Sequence, residues 1–182
     1  MIKQPVLPVI NSLKMVEKAC HFKVEFVVLM DFHIAQLRHA CHLLKKHGKK
    51  IIIHIDLIKG LKNDEYAVDF LIHSLNVDGI ISVKSSVIEK VKRLQRISVQ
   101  RLFLIDTLSY TKGMEIVQAS KPDYIELLPG CMDKMIRRTK EKGFQVLAGG
   151  LIETPEEVER AIQSGATAIT TSKPELIKRY AY

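Results

Sequence analysis

Apolar residues fall in eight short, nearly continuous runs: VLPVI (6–10), FVVLM (26–30), KIIIHI (50–55), GIISV (79–83), VQRLFLI (99–105), YIELL (124–128), QVLA (145–148) and TAIT (167–170). Brief Val- and Ile-rich runs without polar alternation are the pattern of strands buried on both faces. A different period fills the gaps between them. LRHACHLLKKHGKK places Leu37, Cys41 and Leu44 on one helical face, basic residues on the other, and stops at Gly48. DEYAVDFLIHSL puts Ala67, Val68, Leu71 and Leu75 at helical spacing behind an Asn63 cap and an acidic first turn. TPEE (154–157) combines a Thr cap, Pro at the first helical position and Glu three residues past the cap.

Eight strand-like runs alternating with helical segments predict parallel βαβ units, and eight such units predict a small (β/α)8 TIM-type barrel, α/β in class. No Pro/Gly/Ser linker or low-complexity tract divides the chain, so residues 1–182 are expected to form one domain. The competing fold is an open doubly wound sheet. It would use fewer strands and a glycine-rich turn after the first, and PVLPVINS has no glycine.

Composition narrows the setting. No apolar stretch approaches the ~18 residues of a membrane span, and the N-terminus MIKQPVLPVINS lacks a sustained apolar segment. The expectation is a cytoplasmic protein with no membrane partner. Cys20, Cys41 and Cys131 have neither CxxC nor Cys/His ligand spacing, which predicts free thiols rather than a metal site or a disulfide. The 28 Lys and Arg residues against 20 Asp and Glu give a net charge of +8, a balance that favours polyanionic partners.

In a barrel of this kind functional groups collect at the C-terminal strand ends. Reading those ends in order gives Asp31, His54 with Asp56, Ser82 with Lys84, Asp106, Glu126, Gly149-Gly150 and Thr171-Ser172. Polar groups on so many ends predict a pocket rather than a purely packed rim. His54 and Asp56 are two apart, so they are expected to point to the same side of their strand. The last two ends fall where barrels commonly bind phosphate, after strands seven and eight, and glycine amides and a helix N-terminus suit an anion. Two structural roles compete with that reading. The glycines would serve a tight turn equally well, and Ser172-x-x-Glu175 is also a capping box. Asp31 and Asp106 are likewise candidate caps, Asp106 through Ser109. The acidic rim could hydrogen-bond hydroxyls, hold Mg²⁺ through oxygen ligands or serve as acid and base. Arg101, inside a buried run, needs a partner, and Glu126 on the adjacent strand is the natural one.

For nucleic acid, the candidates are Arg93 and Arg96 in one basic group and Arg137 and Arg138 in another. Both groups fall on predicted outer helices, and no tyrosines are interleaved for base stacking. They read first as solvated faces.

Several strings together resemble a known family: DFHIAQL (31–37), HIDLIKGLKNDEYAVDFL (54–71), DGIIS (78–82), QRLFLIDT (100–107), YIELLPG (124–130), AGGLIET (148–154) and AITTS (168–172). They resemble the glycerol uptake operon antiterminator regulatory proteins, over about residues 6–178. The resemblance implies a small barrel that is not an enzyme. It would respond to glycerol-3-phosphate as effector, without a cofactor, and bind leader mRNA of glycerol-utilisation operons to allow transcription past a terminator. It places the phosphate at Gly149, Gly150, Thr171 and Ser172, and the glycerol hydroxyls near His54, Asp56 and Glu126 with Asp31 and Lys84 beside them. Two departures stand out: Asp31-Phe32-His33 where the family more often has Glu-Thr-His, and Lys84 where it often has Arg. The alternatives are a barrel isomerase, aldolase or phosphodiesterase acting on a phosphorylated three-carbon compound, and a metabolite sensor that works through protein contacts. Homo-oligomerisation stays open.

Overall fold

In a computed structural model covering residues 1–182, eight parallel strands close in sequence order into a barrel, β1 pairing with β8. The strands are β1 (Val6–Ile10), β2 (Phe26–Leu29), β3 (Lys50–His54), β4 (Gly79–Ser82), β5 (Ile97–Phe103), β6 (Tyr124–Leu128), β7 (Val146–Gly149) and β8 (Ala166–Thr171). The helices are α1 (Leu13–Ala19), α2 (Ile34–Lys46), α3 (Glu65–Asp69), α4 (Ser85–Arg93), α5 (Thr107–Ser120), α6 (Asp133–Glu141), α7 (Pro155–Gln163) and α8 (Pro174–Ala181). No helix is long and apolar enough to cross a membrane. The open-sheet alternative is excluded by the closed ring of pairings.

Helix starts follow side-chain chemistry, with shifts from the sequence reading. Thr154 caps α7 and forms the expected capping box with Glu157. Asp106 caps α5 in a reciprocal pair with Ser109. The cap of α3 is Asp64, not Asn63, because the Asn63 side chain is drawn away to Asp56. Asp31 caps nothing: α2 begins at Ile34 behind His33, and Asp31 sits in the left-handed region with φ 63°. An aspartate tolerates that conformation better than most residues.

Strand alternation sorts the core into three parts. Ten strand residues, from Leu7 and Val9 on β1 to Ala168 on β8, pack inside the barrel together with Ile2. Their sequence neighbours, such as Ile51 and Ile53 on β3, point outward against the helices. One step further along each inward row the character changes. Two residues beyond Ile52, Val99, Tyr124, Leu147 and Ala168 come His54, Arg101, Glu126, Gly149 and Thr170. Because side chains alternate with period two, these five also point inward, as a polar layer above an apolar one.

The three cysteines are free, with Cys41 buried and Cys131 exposed. Burial pushes the Cys41 thiol up to about 12, which makes it an inert packing residue.

Candidate functional site

The polar layer is tied together by hydrogen bonds. Arg101 and Glu126 are register partners on β5 and β6, and Arg101 Nε donates to Glu126 Oε2 at 2.6 Å. Thr170 Oγ1 donates to the other carboxylate oxygen at 2.6 Å. Glu126 has no exposed surface, so its charge is held by a guanidinium and a hydroxyl rather than water. Gly149 is fixed by the same cluster. A Cβ there would lie 2.4 Å from Thr170 Oγ1 and 3.0 Å from Glu126 Oε1. Close approach, rather than a turn, demands glycine at this position, whereas Gly150 has φ 73° and does make the turn.

His54 is 2% exposed and neither ring nitrogen has a hydrogen-bond partner. Its Nδ1 stands 3.5 Å from Asp56 Oδ2. Burial first, then the Arg101 guanidinium, push the imidazole down from 6.5 to about 4, so at neutral pH it carries no charge.

Above the layer opens a cavity of about 260 Å³, lined by Arg101, Glu126 and Thr170 on the barrel side and by Gly150, Ser172 and Lys173 among the loop residues. That is just under the ~300–1,000 Å³ of drug-sized pockets, a volume for a small metabolite. Gly150, Leu151, Ile152 and Ser172 line it, and their amides donate to no group of the chain. The helix that follows, α8, has Lys173 as its N-cap without a side-chain cap bond, and Pro174 next. Ser172 therefore does not cap α8. The capping box Ser172-x-x-Glu175 is not formed, and the serine is left on the cavity wall. Lys173 Nζ meets Glu153 Oε1 at 3.0 Å, joining the loops after β8 and β7.

Of the residues expected at this site, the structure gathers Glu126, Gly149, Gly150, Thr171 and Ser172 around one cavity. His54 sits in the inward layer next to it. Besides His54, three expected residues do not line the cavity. Asp31 is exposed. Lys84 is the N-cap of α4, and its Nζ donates to the Asn63 carbonyl at 3.1 Å. Asp56 accepts from Ser82 Oγ at 3.0 Å, from Val83 N at 3.1 Å and from Asn63. The strand ends at His54, and Ile55–Leu57 form a 3₁₀ turn; the Asp56 carboxylate still stands beside the His54 ring, but its hydrogen bonds are taken up by Ser82, Val83 and Asn63. No three His, Cys, Asp or Glu side chains converge as a metal site would require. The acids of the rim are dispersed among caps, clamps and the Arg101 pair. Four polar cavity residues escaped the sequence reading in this role: Arg101, Thr170, Glu153 and Lys173. The inward row, followed two residues past the last apolar position, would have found the first two.

Comparison with known proteins decides the family. Residues 6–177 match the family model described as glycerol-3-phosphate responsive antiterminator. The chain belongs to that family. The crystal structure of the glycerol uptake operon antiterminator regulatory protein of Listeria monocytogenes is 41% identical, with a TM-score of 0.93 over 96% of this chain and 95% of that one. A glycerol uptake operon antiterminator-related protein of Thermotoga maritima is 27% identical, with a TM-score of 0.86 over 97% and 99%. The uncharacterised Escherichia coli protein YgcP is 32% identical over 171 residues, 93% of this chain and 90% of that protein. Family membership gives the chain the family's role, that of a glycerol-3-phosphate responsive antiterminator.

Proposed function

We propose that the barrel-mouth cavity is the glycerol-3-phosphate site and that its occupancy controls binding of leader mRNA. The observation that carries this is one cavity holding two unlike halves. Gly150, Leu151, Ile152 and Ser172, whose amides have no partner in the chain, form one side, and the buried Arg101–Glu126–Thr170 cluster forms the other. A phosphate dianion takes the amides, the N-terminal dipole of α8 and the Lys173 ammonium. A glycerol hydroxyl donates to Glu126 or accepts from Arg101, each already positioned by its partner. Gly149 and Thr171 shape the wall, and His54 supports the cluster from within. Asp31, Asp56 and Lys84 act on the rim outside the ligand.

This reading assigns the chain no catalysis and no cofactor. The imidazole that would serve as acid or base is sealed beneath the cavity and uncharged, and both oxygens of Glu126 are already engaged, by a guanidinium and a hydroxyl. The set binds; it does not turn over.

Two measurements test the proposal together. Glycerol-3-phosphate at one hundred times its Kd should stabilise the fold by ~2.7 kcal/mol, a rise in Tm of roughly 5–11 °C for a chain this size, while glycerol alone should do far less. The leader transcript of a glycerol-utilisation operon should change affinity for the protein when the same ligand is added. No shift in Tm at millimolar ligand rejects the site, and ligand-indifferent RNA binding rejects the coupling.

A further inference from the structure

We infer that RNA docks in the groove between α5 and α6, where an apolar cavity holds one unstacked base and α6 holds the flanking phosphates. This rests on the RNA-binding reading above and adds the face that performs it. The groove, about 330 Å³, opens where the chain leaves β5, and Leu104, Ile105, Tyr110, Met132 and Met135 give it an apolar wall. Ile105 is 84% exposed, with Leu108 and Met132 also in solvent nearby in the fold. Apolar side chains left in water together mark a contact surface.

The rim of that surface is cationic. Lys134 and Arg138 border the groove, and with Arg137 they continue into a shallower cleft along α6 that also touches Asp133 and Glu141. Residues 133–142 carry five cations and two carboxylates, a net +3. The Arg138 guanidinium lies 5.0 Å from the Tyr110 ring centroid, and the Tyr110 hydroxyl is 3.2 Å from Thr139 Oγ1. A guanidinium plane backed by an aromatic ring is a platform on which an unpaired base stacks. The carboxylate in this wall, Asp106, is committed to Ser109 N at 2.7 Å.

On the other candidate face Arg96 makes no ion pair, but the cations of α4 itself are paired. Arg93 pairs with Glu65 at 2.9 Å, Lys92 with Asp123 at 3.2 Å and Lys90 with Asp69 at 2.9 Å. Lys134, Arg137 and Arg138 make no ion pair within the chain. A polyanion meets uncommitted charge along α6 and spent charge along α4.

The groove shares a wall with the effector cavity. Leu128 lines that cavity, and its carbonyl accepts from the amide of Leu104, which lines the groove, at 2.7 Å. Gly130 N donates to the carbonyls of Gly149 at 2.6 Å and Gly150 at 3.0 Å. A Cβ on Gly130 would stand 2.6 Å from Gly149 N, so the loop that leads into Met132 cannot shift without the phosphate-side peptides. Ligand that re-aims those peptides therefore moves Met132 and the start of α6. The coupling arises from different RNA affinity in the two loop positions.

The test is fluorescence-anisotropy titration of a labelled leader transcript of a glycerol-utilisation operon, with and without glycerol-3-phosphate, at several salt concentrations. Lys134→Glu and Arg137→Glu should each weaken binding about tenfold or more and lower the salt slope by about 0.7 per phosphate lost. Ile105→Asp should weaken binding beyond the salt-slope loss of one repelled phosphate, and Arg93→Glu should stay within about twofold of the parent. All four variants should keep the ligand-induced rise in Tm, which separates lost docking from lost folding. Normal binding by the α6 variants with loss in Arg93→Glu moves the RNA to another face and leaves the RNA reading standing. A parent chain that binds no leader RNA overturns that reading and the groove with it. Loss of self-association in Ile105→Asp, measured by sedimentation with RNA affinity intact, assigns the groove to a second copy of the chain and ends the proposal.

Discussion

At the scale of single residues, the site depends on a buried charge pair. Glu126 is fully buried and Arg101 nearly so, and removing one member of such a pair leaves the other charge uncompensated. Arg101→Met should therefore cost roughly 3–5 kcal/mol in denaturant unfolding. The double variant Arg101→Met, Glu126→Leu should recover much of that loss while losing the ligand, because two apolar groups of similar volume satisfy each other. A double variant as unstable as the single one would show that the charges are not the reason. His54 adds a pH dependence whose sign is fixed. Its folded pKa is about 4 against 6.5 ordinarily, so between those values the unfolded chain binds the extra proton. Its contribution is complete above about pH 6.5 and is lost as pH falls towards 4, at up to ~1.4 kcal/mol per pH unit. His54→Asn should flatten that part of the stability profile, followed by urea unfolding from pH 4 to 7.5. This layer was half legible in the sequence. The Arg101–Glu126 pair followed from an arginine inside an apolar run, because burial forces a partner. The two-residue spacing of His54 and Asp56 did bring their polar atoms within 3.5 Å, but the capture of Asp56 by Ser82, Val83 and Asn63 was not legible, because those partners come from other segments of the chain.

At the scale of elements, the loop after β8 and the loop after β7 look alike in sequence and do different work. Both offer a hydroxyl followed three residues later by a glutamate, yet only Thr154 caps its helix, accepting from Glu157 N at 3.3 Å. Ser172 lies one residue too early, because Pro174 starts α8 and makes Lys173 its N-cap. Thr154→Ala should cost about 1 kcal/mol of stability and leave ligand affinity alone. Ser172→Ala should do the reverse: stability within about 0.5 kcal/mol of the parent and weaker glycerol-3-phosphate binding by calorimetric titration. A stability loss in Ser172→Ala equal to that of Thr154→Ala would restore the capping role. Strands were the most legible elements. VLPVI and YIELL coincide with β1 and β6 to the residue, and the strand read at 99–105 runs instead from Ile97 to Phe103. Leu104 and Ile105 extend the apolar run but leave the sheet, and Ile105 is apolar for a surface rather than a core. Hydropathy alone cannot separate those two causes.

At the scale of the molecule, the barrel is packed unevenly, and function sits on the lighter side. The outer cluster beneath α1 to α4, with the end of α8, contains 27 buried residues, against 16 in the cluster on the β5–β8 side. Each large apolar side chain buried adds roughly 1.5–3 kcal/mol, so the two halves need not open with equal free energy. Regions that bind and switch are drawn from the less stable part of a fold. Arg101, Glu126, Gly149 and Thr170 come from β5, β6, β7 and β8 in turn, and the α5–α6 groove lies on the same side. Hydrogen exchange followed by mass spectrometry should accordingly show amides of α5, α6 and β5 to β8 exchanging earlier than those of β1 to β4. Glycerol-3-phosphate at one hundred times its Kd adds ~2.7 kcal/mol to whatever opening exposes the site, which slows exchange through that opening about 100-fold. If the light half opens by itself, the slowing concentrates there and reaches α6, carrying the ligand's presence to the groove. Equal slowing in both halves would mean that the barrel opens as one unit, and the loop from Leu128 to Met132 would then have to transmit the signal within an otherwise rigid frame.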